Sequence, residues 1–562
     1  MDNACKKALF FALGINTLFL VLCLVFGLRR FGAMDDFFMA KILEGAYSND
    51  YNVHLVFVNV LYGYVLLPLY HLFPKISWYY VGDVLAVFVS LTTISFVAIR
   101  KVGLQWGPVF ATFFVACFAS DYYLVLQFTQ CASVLSAAGM LAIVYGICQE
   151  SGGRNRRWIL FFVGFGLLFW GAAMRYQAFL MGVPFVVLAL LIQLKTCWKN
   201  RFRLSLCIVI AFCGTFGLQK IDSAHYTLPE YKKFKEFQPY RVVLGDGNDY
   251  DINAVYEDLD ESDVPVEDLM LLKDWFLYDK DVFSVGNLKP FIKTIRNHKT
   301  QNNLHDSLSK ALAELSVLIE RSVCWPWILV CLLLLWKNKE KSFYSWLSFF
   351  SILLLIGYLF YLGRVVFRVE NGFLLYAAVM GIPLLKPVKE FSYKVSALVF
   401  VILVIYCTIF YTMTSGDSRD PISSKRVDSI KNQTDYSGFS DYIQSAPDSI
   451  LFLVTMQPYM GIGKTLTPHY LSMPFGAMKK FVSLGYWTPY FPDVENTLRE
   501  WGLNNPVKDA VKENVLVVGD RFDRFLERYH YPNESVEVDT VLSIGETSVE
   551  KYRVVHKKGF DE

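Results

Sequence analysis

Apolar runs of bilayer length recur along this chain, and they limit its fold more than any other feature. A helix needs about 20 apolar residues to cross the hydrocarbon core, with a range of roughly 17–25. Runs of this kind fall near 8–28, 78–98, 103–120, 130–148, 158–174, 177–194, 204–219, 323–336, 343–362, 372–385 and 395–413. They predict a polytopic α-helical membrane protein with eleven transmembrane helices. Only 19% of residues are charged and 54% are hydrophobic. A soluble domain carries about 25% charged residues, so this chain has too little polar surface to coat a globule in water, and a cytosolic enzyme is excluded. The 54 Lys+Arg against 51 Asp+Glu leave a net charge of +3, which excludes a nucleic-acid binder working by bulk charge. Arg29 and Arg30 follow the first run where a signal peptide would need small residues for cleavage, so that run reads as a retained helix. The eleven cysteines all lie in or beside apolar runs. That pattern gives no disulfide framework and no CxxC metal site, and fits small hydrophobic fillers.

Lys and Arg in the loops set the orientation. With the N-terminus inside, the inner segments hold 17 basic residues and the short outer segments hold 7. An N-in, C-out topology in the plasma membrane follows. Residues 53–73 are apolar but carry His54, Asn59, Pro68 and His71, which suits a helix at the outer interface or against other helices better than one in lipid. If this stretch spans instead, the simplest repair turns the N-terminus outward and leaves the later helices in place.

Two domains result: a transmembrane domain at 1–413, with an external interfacial stretch at 30–77 and a large external loop at 220–321, and an external α/β domain at 414–562. The loop holds ten acids between Asp246 and Asp268 and no Lys or Arg between Arg241 and Lys273, which reads as an acidic surface. Helical patterning returns at 265–280 and 302–320. In the C-terminal domain, strands are expected at 450–455, 514–518, 536–543 and 550–555, with helices at 438–446, 506–512 and 521–529.

The first chemical candidate is Asp35-Asp36, in FGAMDDFFMAKILEGAYSND, a few residues beyond the outer end of the first helix. Paired acids at a helix exit are often ordinary interfacial polarity. These two sit among Phe31, Met34, Phe37, Phe38 and Met39, where carboxylates cost free energy unless they bind something. A carboxylate there suits a general base that takes a proton from an acceptor hydroxyl.

An acidic pair just after the first helix, an interfacial stretch, many further helices, outward-facing arginines and an external C-terminal domain together resemble the membrane-integral glycosyltransferases of the C-type fold. That class includes the protein mannosyltransferases and the lipid-A aminoarabinose transferases. The architectural likeness covers 1–413, while the motif-level likeness is confined to about 30–80 and scattered helix ends. The resemblance implies an enzyme that moves a sugar from a polyprenyl-phosphate donor to a glycan, lipid or protein acceptor outside the membrane, as in envelope polysaccharide synthesis, usually with inversion. It makes Asp35 or Asp36 the catalytic base. Asp121, in CFASDYY, corresponds to an acid that helps hold the acceptor or a divalent metal, and no other cofactor is implied. Arg175, in AAMRYQAF, and Arg364 and Arg368, in YLGRVVFRVENG, become donor-phosphate ligands, since a guanidinium grips phosphate bidentately and stabilises charge on the leaving group. Their ordinary alternative is snorkelling to headgroups. His54 and Asn59 are further acceptor-site candidates, with interfacial polarity as their alternative.

Other motifs fail on inspection. Gly463-Lys464-Thr465 imitates the end of a phosphate-binding loop, but Pro458 stands where its first glycine belongs. The run from Asp246 has Tyr250 and Asp251 where a calcium loop needs a ligand and a glycine. Asn432-Gln433-Thr434 and Asn533-Glu534-Ser535 are glycosylation sequons. Two non-enzymatic readings remain beside the transferase: a transporter or flippase for a lipid-linked precursor, and a non-catalytic polymerisation partner. Transporters tend to place ionisable residues near mid-membrane, whereas the notable charges here cluster at outer ends. The aromatic stretch Tyr486–Phe491 fits either a sugar-stacking surface or core, and core is the commoner use.

Overall fold

A computed structural model describes residues 3–27, 29–148, 154–246, 250–260, 266–298, 303–388, 392–413, 437–456, 458–459, 461, 470–544 and 547–556. Asn248, the Gly463-Lys464-Thr465 segment and the Asn432 sequon lie outside them. In chain order the helices of the first part are α1 Asn3–Phe26, α2 Met34–Leu43, α3 Val60–Leu72, α4 Trp78–Val102, α5 Gly107–Tyr123, α6 Phe128–Cys148, α7 Arg154–Met174 and α8 Tyr176–Ile192. They are followed by α9 Arg201–His225, α10 Pro229–Arg241, α11 Ile252–Asp260, α12 Val266–Lys273, α13 Val285–Asn297 and α14 Leu304–Ile319, then α15 Trp325–Lys337, α16 Phe343–Tyr361, α17 Phe367–Gly381 and α18 Tyr393–Met413.

All eleven apolar runs are helical, but fewer than eleven meet the length and hydropathy of an independent span. Among the described residues seven helices do, or eight if the pair Leu304–Ile319 and Ser322–Lys337, bent by 100°, counts as one. The other three runs form α5, α8 and α17, of 17, 17 and 15 residues. Every residue of α17 from Glu370 onward is buried, so its length is set by its helical neighbours rather than by lipid. Several helices long and apolar enough to span make this an integral membrane protein. The helix α3 has 13 residues, about 20 Å at 1.5 Å per residue, short of a core about 30 Å thick. It lies against α4 and α9.

The run at 78–98 is not free of charge. Asp83 stands in the second turn of α4 and is fully buried. In the loop at 220–321, α12 and α14 match the expected helical patterning, while α10, α11 and α13 add to it. The expected acidic surface is not uniform either: Asp268 is 2% exposed, takes a 2.8 Å bond from Arg528 and bonds the Tyr529 hydroxyl.

Two short strands, β1 Arg30–Phe31 and β2 Val125–Leu126, pair in parallel, and the Gly32 N–H extends the pairing to the Leu126 carbonyl at 2.6 Å. This ties the exit of α1 to the α5–α6 turn and aims α2 at the start of α6. Beyond the membrane part, strands β3 Leu451–Val454, β4 Phe481–Ser483, β5 Val515–Val518, β6 Glu534–Ile544 and β7 Thr547–His556 form one sheet in the order β4-β3-β5-β7-β6. The first three strands are parallel, and β7 joins β5 antiparallel. All four expected strands are present, and β4 and the helix Pro492–Glu500 were not anticipated.

The sheet domain is pinned to α2. Glu44 takes bonds from Lys41 (2.7 Å), Ser77 (2.6 Å) and the Met473 N–H (3.0 Å), all out of solvent. Phe38 stacks on Tyr459 at 4.6 Å and meets Tyr486 and Trp487. Trp487 and Phe491 are core residues, as the commoner use of such a stretch implied. The 220–321 loop meets the same domain backbone to backbone: a Cβ at Gly485 would sit 1.5 Å from the Trp275 carbonyl oxygen, so only glycine fits there.

Candidate functional site

Acids in the first turn of a helix complement its dipole, and Asp35 and Asp36 occupy that turn of α2. Their surroundings differ. Asp35 is half-buried, while Asp36 is fully buried. One oxygen of Asp36 accepts the Phe128 N–H at 2.8 Å and the Tyr79 hydroxyl at 3.2 Å, so it caps the start of α6. Its other oxygen has no hydrogen-bond partner. Burial raises the Asp36 pKa well above the usual carboxylate value, and the charges of Asp83 and Asp35 push the same way. Asp83, missed in the sequence, accepts the Tyr62 hydroxyl at 3.2 Å.

Phe128 links this carboxylate group to cations. The Arg175 guanidinium lies 5.1 Å from the centre of its ring. Arg175 is the single residue between α7 and α8, in extended conformation, so the tight turn projects it here. Phe57 stacks on Phe128 at 6.3 Å and carries Arg241 above it at 5.8 Å. Arg241 also faces the Trp275 ring at 5.2 Å and is 3% exposed. Both aromatic supports follow strained backbone. Val56 has φ +67° and Trp275 φ +64°, a region bulky side chains occupy only when the surroundings impose it. Sequence reading passed over Arg241, although it ends the basic-aromatic run YKKFKEFQPYR just before the acidic stretch.

Asp121 belongs to a second cluster on another side of α6. Its side chain takes a 3.1 Å bond from Asn371, and its carbonyl a 3.4 Å bond from Gln130. Asn371 in turn bonds Arg321, which pairs with Glu370 at 3.1 Å. Arg321 and Glu370 are 1% and 0% exposed. Arg364 is exposed on the turn after α16, and Arg368 is half-buried in the first turn of α17. Both stand beside Glu370 and Asn371 in the chain.

His54 and Asn59 serve other contacts. The Asn59 oxygen caps α3 through the Leu61 N–H at 3.0 Å, and its amide donates to the Leu218 carbonyl at 2.7 Å. His54 stacks on Tyr231 at 3.9 Å and bonds Asn52 at 3.0 Å. Asn52 donates to Asp493 at 2.9 Å, so this group joins the segment before α3, the loop and the sheet domain. Burial, then His225, lowers the His54 pKa to about 4, and burial raises that of Asp493 to about 6.

Beside the Asp83 pair a lipid-facing cleft of about 640 Å³ opens between α3, α4, α7 and α9. Tyr62, Leu66, Gly82, Leu85, Trp170 and Leu218 line it. Its walls are almost wholly apolar, and Tyr62 and Gly82 separate it from the carboxylates.

The group of described residues with donors close enough to share a cation lies elsewhere: Asp279, Asp281 and His530, within 4.8 Å of one another. His530 bonds Asp279 at 2.5 Å, and Asn505 donates to both carboxylates at 3.0 and 3.1 Å. The group acts as a clasp between the loop and the sheet domain.

No family model matches the chain, and no curated protein matches it. Two solved structures are similar along nearly its whole length. ArnT from Cupriavidus metallidurans in the apo state is 12% identical over 98% of both chains, with a TM-score of 0.43. ArnT from the same organism bound to undecaprenyl phosphate is 11% identical over 96% of this chain and 97% of that one, with a TM-score of 0.42.

Proposed function

We propose that the chain is a membrane glycosyltransferase that moves a sugar from a polyprenyl-phosphate donor to an acceptor hydroxyl. The observation that carries this reading is one juxtaposition. A carboxylate pair and two guanidiniums on aromatic rings surround the start of α6, and a lipid-facing apolar cleft opens behind Tyr62, the hydroxyl partner of Asp83. Each part matches one part of the reaction.

The cleft suits the hydrocarbon of the carrier, and Arg175 and Arg241 suit its phosphate. Asp35 takes the proton of the acceptor hydroxyl, whose oxygen attacks the anomeric carbon as the bond from that carbon to the phosphate oxygen breaks. The phosphate leaves with the bonding electron pair, and guanidiniums aimed at it stabilise the charge as it develops. A single displacement inverts the anomeric centre. Asp36 is the positioning residue: it holds α2 against α6 through the Phe128 N–H and so fixes Asp35 beside the start of α6. Asp121, His54, Asn59, Arg364 and Arg368 fit supporting roles away from the transferring group.

The test is transfer of radiolabelled sugar from polyprenyl-phosphate donors in proteoliposomes, comparing the parent with Asp35→Asn, Asp36→Asn and the double variant. Loss of transfer in Asp35→Asn with parental folding supports the assignment. Parental transfer by all three variants overturns it.

A further inference from the structure

A second cleft, of about 600 Å³, lies between α7 and α9 at the end of the bundle away from the carboxylates. Its position follows from α7. Ala173 accepts the Asn59 N–H at 2.9 Å near the carboxylate end, and Arg157 lies 16 residues earlier on the same helix, roughly 24 Å away at 1.5 Å per residue. The two helices touch where Gly214 admits the Phe169 ring, since a Cβ there would come within 2.3 Å of it. Toward Arg157 they diverge and leave the cleft open.

Its lining combines two chemistries. Trp158, Phe161, Phe165 and Ile210 make apolar walls, and Arg157 and Arg203, one from each helix, also line it. Trp158 is 59% exposed, so the opening faces lipid. No Asp or Glu occurs between Glu150 and Asp222, while Arg157, Lys195, Lys199, Arg201 and Arg203 stand at this end. Arg203 also donates to the Asn200 oxygen at 2.8 Å, and two guanidiniums at one end of an apolar cleft match an ion with a phosphate at one end and hydrocarbon at the other. The volume falls in the usual range for small-molecule sites, about 300–1,000 Å³.

We infer that this cleft holds an anionic phospholipid of the leaflet opposite the carboxylate site, with its phosphate between Arg157 and Arg203 and an acyl chain against Trp158 and Phe161. This lipid is separate from the donor of the proposed reaction, and the inference stands whether or not that reaction is correct.

The experiment uses the full chain in detergent, titrated with phosphatidylglycerol or phosphatidylcholine. Bound lipids are counted by native mass spectrometry, and quenching by brominated acyl chains is compared in the parent and Trp158→Phe. Attraction of about fivefold per basic residue predicts roughly thirtyfold preference for phosphatidylglycerol in the parent. Arg157→Gln with Arg203→Gln should reduce it to near unity, and Arg157→Lys with Arg203→Lys should keep most of it. Quenching specific to phosphatidylglycerol should vanish in Trp158→Phe. No lipid preference in the parent, an undiminished preference in the double Gln variant, or unchanged quenching in Trp158→Phe would overturn the inference.

Discussion

Two carboxylate clusters flank the start of α6, and they are built on opposite plans. Around Asp121 and Glu370, Arg321 sits fully buried, paired to Glu370 and joined through Asn371 to Asp121. Around Asp36 the largest charged neighbours are two more acids, Asp83 and Asp35. The cations on that side, Arg175 and Arg241, stand off behind the rings of Phe128 and Phe57. Charge compensated inside a cluster holds helices together. Around Asp36, burial and two neighbouring acids favour the neutral carboxyl instead, and a strongly perturbed acid of this kind marks a candidate reactive site.

The largest effect that tests this contrast is on catalysis. General-base catalysis contributes about 10²–10⁴-fold, so Asp35→Asn should lower kcat by that factor while the melting temperature stays at the parental value. Asp36→Asn keeps the shape of a buried group whose neutral form burial already favours, and should melt close to the parent. Asp36→Ala leaves the Phe128 N–H without its acceptor and should cost about 1–3 kcal/mol. Equal kcat in Asp35→Asn and parent breaks the comparison on its reactive side.

The compensated cluster answers to stability instead. Arg321→Met leaves buried carboxylates without their cation and should cost about 3–5 kcal/mol, read from thermal melts in detergent. Adding Glu370→Gln and Asp121→Asn should recover most of the loss. A variant that melts like the parent but transfers as poorly as Asp35→Asn would move the reactive centre to this second cluster.

What the sequence revealed, and what it concealed, divides along the same line. The apolar runs and the Asp35-Asp36 pair are legible because hydropathy and residue type are local properties. Asp83 was hidden by its apolar neighbours. Arg321 looked like the end of a polar loop, and nothing local says that the turn from α14 to α15 folds it inward onto Glu370. Arg241 depends on Phe57 and Trp275, which lie 184 residues behind it and 34 ahead and meet it only after the loop has packed. Pairing of β1 with β2 likewise joins residues 95 apart, and it is this pairing that brings Asp36 to Phe128. Contacts at such separations leave no periodic trace.

Smaller effects sharpen the role of the cations. Arg175→Gln should raise KM for the donor about tenfold, the lower end of what a hydrogen bond to a charged group contributes, with kcat reduced less. Arg241→Lys keeps the charge but loses the planar stack on Trp275 and Phe57, and should raise KM by a smaller factor. Steady-state kinetics over a donor series separates the two. An unchanged KM in both variants would leave the guanidiniums as packing residues.

The junction of His54, Asn52 and Asp493 carries two opposed pH responses. With its pKa lowered from 6.5 to about 4, His54 stays neutral in the fold while the unfolded chain takes up a proton, so stability is lost as pH falls through that window. With its pKa raised from 3.8 to about 6, Asp493 keeps a proton that the unfolded chain releases, so stability is gained as pH falls from 6 toward 4. The melting-temperature difference between pH 5 and pH 7 should therefore become more favourable to pH 5 in His54→Gln and less so in Asp493→Asn, by about 2 °C each. The same difference in parent and both variants would remove this junction from the pH response.

The smallest effect is expected at Asn59, which sequence reading grouped with the acceptor site. Its oxygen caps α3 and its amide holds the Leu218 carbonyl, so both ends of the side chain are committed to joining α3 to α9. Asn59→Ala should cost about 1 kcal/mol, as loss of a helix cap does, and Asn59→Asp should recover the cap but not the bond to Leu218. Neither should change KM for the acceptor by more than about twofold, since the Asn59 side chain meets Leu61 and Leu218 and not the carboxylates. A tenfold rise in acceptor KM with an unchanged melting temperature would place the acceptor on α3 and move the site away from α6.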